Sequence, residues 1–157
     1  MRVFRLFGLF AGMVSIAALA ADGMQLTAGR WEEVTTITSI RAGGKQVPLD
    51  AISGNPATRY RCLSTEEALD PEKYFLKADT ARNCEPGGAV SGGRISLIGS
   101  CQDAKMGQMA VTGSGTYQSK SYEVTMNMLG SMKGAPLFID STVTGRYVGA
   151  CTSPERG

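Results

Sequence analysis

The chain has no histidine among its 157 residues. That removes the Ser-His-Asp and Cys-His nucleophile arrangements and every histidine-based metal site. No two cysteines form a Cys-x-x-Cys pair, so a thiolate zinc site lacks its usual spacing as well. Beyond residue 20 no apolar run approaches the roughly 20 residues that a spanning helix needs. A basic cluster able to neutralise several phosphates is also missing. Arg59 and Arg61 flank Tyr60, but alternate residues on a strand suit a solvated face, so nucleic acid is not an expected partner. Glycine-rich pieces such as Gly113-Ser-Gly precede no helix and cannot cradle a phosphate. The one acidic cluster, Glu66, Glu67, Asp70 and Glu72, falls on a helix start that negative charge stabilises. No catalytic residue, metal ligand or cofactor is assigned, and the chain is not expected to be an enzyme.

What is present begins with a leader. Arg2 and Arg5 precede a run from Leu6 to Leu19 that is apolar or small throughout, and Ala18-Leu19-Ala20 offers a small-x-small cleavage site. This is the pattern of a secretory signal peptide over residues 1–20. An uncleaved anchor would need a longer apolar run, and no cysteine follows the site to carry a lipid. Residues 21–157 then form a single exported domain, expected in the periplasm or secreted, without a membrane span after cleavage. Arg2 and Arg5 supply the whole +2 net charge, so the mature part is neutral.

All four cysteines, Cys62, Cys84, Cys101 and Cys151, lie in the mature part. An even count behind a signal peptide reads as two disulfides. A two-residue turn at Gly92-Gly93 sets Ser91 opposite Arg94, and the same register sets Cys84 opposite Cys101. Facing cysteines on adjacent strands are close enough to bridge. Cys62 is left to pair with Cys151. In this register Pro86 takes a non-hydrogen-bonded position, where its missing N–H costs no ladder bond. Cys84, Val90, Ile95, Leu97 and Cys101 share one face.

The remaining elements follow from residue type. Gly29 to Ile40 is rich in β-branched residues and reads as a first strand, with an alternation too weak to orient it. Its Trp31 suits a core or edge anchor. Residues 41–58 read as a long loop or a short edge strand around Gln46–Leu49, and Arg59–Leu63 as a second strand. Ser64 with Glu67 three residues on is a capping box, and Asp70-Pro71 starts a second short helix packed down by Tyr74, Phe75 and Leu76. A hairpin turning at Ser119-Lys120 pairs Tyr117 with Tyr122 and Val111 with Met128. Phe138–Val148 is the last strand, with Ile139, Val143, Tyr147 and Cys151 in phase. The fold class expected is mainly β: an antiparallel sheet of about six or seven strands, barrel- or sandwich-like, with one or two short helices.

Five short motifs in this order resemble a bacterial family known as domain-of-unknown-function family 3617. They are Gly29-Arg-Trp-Glu, Arg61-Cys-Leu-Ser-Thr-Glu-Glu-Ala, Asn83-Cys84 through Cys101, Gly115-Thr-Tyr-x-x-x-Ser-Tyr with a methionine-rich strand, and Gly145-Arg-Tyr-Val-Gly-Ala-Cys151. The resemblance spans about residues 26–151 and departs from the usual pattern in the longer Ala42–Pro56 segment. It implies an exported, cysteine-bridged protein of proteobacterial type and brings no established activity.

Methionine is the compositional anomaly, with Met106, Met109, Met126, Met128 and Met132 in one stretch. Thioethers suit Cu(I), and Met106, Met109 and Met132, in or near loops, are the three to consider. Methionine also fills cores and adaptable binding surfaces, and Met126 and Met128 are in phase with Tyr122 and Val124. Gly113 and Gly115 face Met126 and Val124, which would leave room above the sheet. The principal expectation is therefore a non-enzymatic binding module, its pocket lined by Tyr117, Tyr122, Val124, Met126 and Met128, for an apolar ligand or protein partner. The alternative is a structural or envelope accessory protein that works by surface contact, and Cu(I) binding is the minor one.

Overall fold

The computed structural model describes residues 24–52, 54–77, 83–103 and 107–151; the leader over residues 1–20 and Met106 lie outside them. Strand β1 (Gly29–Ala42) is followed by the two-residue β2 (Lys45–Gln46), a single 3-10 turn (Leu49–Ala51) and β3 (Ala57–Leu63). Helices α1 (Thr65–Leu69) and α2 (Pro71–Phe75) come next. Then β4 (Cys84–Ser91), β5 (Arg94–Asp103), β6 (Gly107–Gln118), β7 (Ser121–Met132) and β8 (Ala135–Gly149) run as a meander. Every pairing is antiparallel, in the order β2-β1-β8-β7-β6-β5-β4, with β3 beside β1 on the same side as β2.

The mainly β fold with two short helices and two disulfides agrees with the reading of the sequence. One detail differs. Among the described residues the strands number eight, because β1 runs past Ile40 and turns at Gly43-Gly44 into β2. They lie in one antiparallel sheet, since each tight hairpin seats a strand beside its predecessor and β8 returns along β1.

Both predicted registers hold. Ser91 faces Arg94, Pro86 faces Gly99 and Cys84 faces Cys101; Tyr117 faces Tyr122 and Val111 faces Met128. The Cys84–Cys101 bridge spans 4.0 Å between Cα atoms, and Cys62–Cys151 spans 5.9 Å. No cysteine is free. Disulfides persist in oxidising compartments, which sets this chain outside the reducing cytoplasm.

The weak alternation of β1 has a structural cause. Trp31, Glu33, Thr35 and Ile37 face inward opposite Tyr147, Gly145, Val143 and Ser141. A bulge between Ile37 and Ser39 then shifts the phase, so Ile40 and Ala42 face inward opposite Ile139 and Leu137. Asn55 stitches the bulge: its Oδ1 accepts from the Ile37 N–H at 2.8 Å and its Nδ2 donates to the Ile37 carbonyl at 3.1 Å. The long 42–56 segment thus supports β1.

The acidic cluster serves the helices. Ser64 Oγ accepts from the Glu67 N–H at 3.2 Å while Glu67 Oε2 accepts from the Ser64 N–H at 3.1 Å, and Asp70 Oδ1 accepts from the Lys73 N–H at 3.1 Å. Burial would raise the Glu67 carboxyl, but the Ser64 N–H, Lys77 and the Ser64 hydroxyl outweigh it and pull it down to about 2. A depressed folded-state value means stabilisation present above the ordinary carboxylate range and lost as pH falls from 4.5 toward about 2. Ser64→Ala should cost about 1 kcal/mol at neutral pH. The stability gap between wild type and Glu67→Gln should shrink across that acid window in urea titrations. A gap that stays constant to the lower end would contradict the assignment.

Candidate functional site: the inner face and its helical cover

One face of the sheet, here the inner face, carries the apolar residues of β4 to β8 and the inward residues of β1. Its two halves differ in what lies over them. Over the half near the start of β1, α1 and α2 bring down Ala68 and Tyr74, with Phe75 and Leu76 partly buried beside them. Below lie Trp31, Val90, Ile95, Tyr117, Tyr122 and Val124, all buried. The segment before β1 closes the rim, as the Leu26 N–H donates to the Ala68 carbonyl at 3.0 Å and the Thr27 N–H to the Ser119 carbonyl at 2.8 Å.

A buried carboxylate stands at the centre of this half. Glu33 is 2% exposed. Its Oε1 accepts hydrogen bonds from the Tyr74 hydroxyl at 2.7 Å and from the Tyr122 hydroxyl, and its Oε2 is paired with Arg59 Nε. The two hydroxyls lie 3.3 Å apart. Burial alone would raise the Glu33 carboxyl; the two tyrosine hydroxyls and the Arg59 guanidinium together hold it below the ordinary range. Burial, with charge close by, pushes both phenols well up, so they remain donors. Trp31 stacks on Tyr122 with ring centroids 5.7 Å apart, and the Arg61 guanidinium lies 4.6 Å from the Tyr74 ring centre. The Tyr122 ring fits there because residue 145 is glycine: a Cβ at that position would fall 2.1 Å from the ring.

This cluster ties four elements, β1, β3, α2 and β7, into one unit. Both oxygens of its carboxylate are engaged, Oε1 by two hydroxyls and Oε2 by a guanidinium. Sequence reasoning assigned Tyr122 to a pocket and missed Glu33, Arg59 and Tyr74 as a group. The only sequence signal was the Trp31-x-Glu33 phase, which puts an acid on the same face as the single tryptophan.

The predicted pocket lining divides between the two halves. Tyr117, Tyr122 and Val124 are 3%, 7% and 3% exposed, so they belong to the core beneath the helices. Met126 and Met128, next in phase on β7, are only half-buried. Gly113 and Gly115 leave no gap. A Cβ at 115 would meet the Glu123 carbonyl at 2.1 Å, and one at 113 would contact the Thr125 carbonyl, Val124 and Leu97 within 3.5 Å. The neighbouring strand and side chains already take up the space.

Beyond Val124 the inner face is unevenly buried among the described residues: Ser141, Leu137, Val111 and Met109 are buried, whereas Ile37, Leu97, Met126, Met128 and Ile139 are only half-buried. Its rows there are Ile37, Ser141, Met126, Gly113 and Leu97, then Ile40, Ile139, Met128, Val111 and Gly99. Met109, near the start of β6, and Met132, the last residue of β7, also belong to this face. Met109 is buried and Met132 is exposed. Four of the five clustered methionines therefore share one apolar surface, which ends in the tips of the β1–β2 and β7–β8 hairpins. Among the described residues no group of three or more acidic or cysteine side chains is placed to hold a metal, and no helix is long and apolar enough to cross a membrane.

The model of a family described as protein of unknown function, DUF3617, matches residues 26–151. The chain belongs to this family. No curated protein and no solved structure matches it. In this DUF3617 chain the motifs behind the resemblance converge on the covered half: Trp31, Tyr122, Gly145 and Tyr147 pack together, and Cys62 and Ser64 anchor the start of the helices. Three of the five build the cover and its latch, while Leu97 and the methionine-rich strand, on the open half of the face, belong to the other two.

Proposed function

We propose that this chain is a non-enzymatic binding module, periplasmic or secreted, that takes an apolar ligand on the uncovered half of its inner face. The observation that supports this is the change along one strand. Tyr122 and Val124 are buried in one cluster with Ala68 and Tyr74 of the helices, whereas Met126 and Met128, on the same face, remain half-exposed, as do Leu97 and Ile139. Methionine side chains adapt to irregular apolar shapes, which suits a surface that must close over a guest.

A second reading has its own observation. On the outer face Phe138 sits directly opposite Leu129, 40% and 49% exposed, and Ile98 is 63% exposed. Exposed apolar side chains grouped in this way suit contact with a protein partner, as an accessory envelope protein would need.

Fluorescence titration with an aliphatic probe separates the two. Met126→Lys/Met128→Lys should weaken probe binding by at least about tenfold, while Leu129→Lys/Phe138→Lys leaves it unchanged, both variants keeping a cooperative thermal transition. Loss of binding in the outer-face variant alone would move the site to the outer face.

A further inference from the structure

The open half of the inner face has a chemical polarity along its length. Its half-buried side chains, Ile37, Leu97, Met126, Met128 and Ile139, and the buried Val111 among them carry neither charge nor aromatic ring. Toward the helices the face is closed by the Glu33 cluster. At the other end the β1–β2 and β7–β8 hairpins stand side by side, because Ala42 pairs with Leu137 and the Gly43 N–H donates to the Pro136 carbonyl at 2.9 Å. Residues 41–49 and 128–139 include Arg41, Lys45 and Lys133 and no acid. Lys45 pairs with Ala42 and so lies on the inner side, and Lys133 occupies the β7–β8 turn. Both are exposed, and among the described residues neither forms a salt bridge. The nearby acids are otherwise placed. Asp140 is on the outer side and accepts from Asn127 at 2.8 Å, Asp50 lies in the 3-10 turn, and Asp103, at the end of β5, has an interaction of its own.

Resting on the binding reading above, we infer that the ligand is a single anionic amphiphile: an unbranched aliphatic chain lies over the methionine rows and its acidic headgroup meets Lys45 and Lys133. An aliphatic chain fits because the surface offers flexible thioethers and branched alkyl groups and no ring on which an aromatic guest could stack. The distance from Met126 to Met132 along β7, about 20 Å at the usual strand rise, accommodates an extended acyl chain. The exposed lysines stay in water with the headgroup, so no charge is buried and the ion pairing selects among ligands more than it drives binding.

Displacement of a fluorescent fatty-acid probe from the purified protein by palmitate and by the neutral alcohol of equal chain length tests this. Palmitate should compete about tenfold better than the alcohol. Lys45→Glu/Lys133→Glu should abolish that preference while leaving the alcohol's affinity unchanged. Equal affinity of the two ligands for the wild type would overturn the anionic headgroup and leave the apolar site standing, as would a preference that survives the double substitution. Failure of both ligands to bind, with no binding of the probe, would remove the site itself. Co-sedimentation with anionic phospholipid vesicles without binding of monomeric palmitate would assign the lysines to a membrane surface and overturn the inference.

Discussion

Glu33→Ala should be among the most destabilising single substitutions in this chain, costing about 3 kcal/mol or more. The carboxylate accepts from two hydroxyls that are themselves buried, on Tyr74 and Tyr122. Without it those hydroxyls keep only each other, 3.3 Å apart, and a buried donor left without an acceptor costs about 1–3 kcal/mol. Arg59 adds less, because its side chain is 59% exposed and water can replace its partner. Glu33→Gln should cost roughly half as much, since an amide oxygen still accepts but no longer as an anion.

The pH dependence distinguishes a lost carboxylate from a cavity. Glu33 is held below its ordinary range in the folded state, so its contribution is present above that range and is lost as pH falls through the depressed value. The stability gap between wild type and Glu33→Gln should therefore narrow as pH is lowered from 7 to 3, whereas a packing defect would leave it constant. Urea denaturation followed through Trp31, which stacks on Tyr122, reports both results. A loss below about 1 kcal/mol for Glu33→Ala would mean that the two tyrosines find other acceptors.

Much of the architecture was legible because it followed from counting. A glycine pair at 92–93 and a polar pair at 119–120 specify turns, and a period of two carries each register outward to Cys84–Cys101 and Val111–Met128. The capping box at Ser64 needs only four residues and was equally visible. What the sequence did not show depends on elements meeting across long separations. The phase of β1 breaks at a bulge stitched by Asn55, eighteen residues away, so a single alternation along Gly29–Ala42 could not be found. Glu33 meets Tyr74 and Tyr122 at separations of 41 and 89 residues, and its neighbour Glu32 instead pairs with Arg146 on the outer side. Adjacent identical residues thus have opposite roles, set by the pleat alone. The expected lining residues fall in two differently buried parts of the face for the same reason: the phase of β7 was clear, but where the helices end over it was not.

The two disulfides should contribute unequally, and the one less obvious from local sequence should contribute more. In the chain-entropy model, the bridge between Cys62 and Cys151, with a separation of 89 residues, is worth about 4–5 kcal/mol; the bridge between Cys84 and Cys101, with a separation of 17, is worth about 3 kcal/mol. The native contacts enlarge the difference. Cys84 and Cys101 already face each other at the end of an eight-pair ladder, so the strands stay together if the bridge is removed. Cys62 and Cys151 have no ladder between them: Cys62 of β3 pairs with Arg30 of β1 on one side, and β8 ends at Gly149 opposite Arg30 on the other, two residues before Cys151. Cys62 is also two residues from the Ser64 cap, so this bridge fixes the point from which the helices reach over the inner face. Cys62→Ser/Cys151→Ser should therefore lower stability more than Cys84→Ser/Cys101→Ser. It should also raise hydrogen exchange selectively at the start of β1 and in α1, before global unfolding. If the hairpin bridge proved the costlier one to remove, the helical cover would not depend on the Cys62 anchor, and the Glu33 cluster alone would have to hold it down.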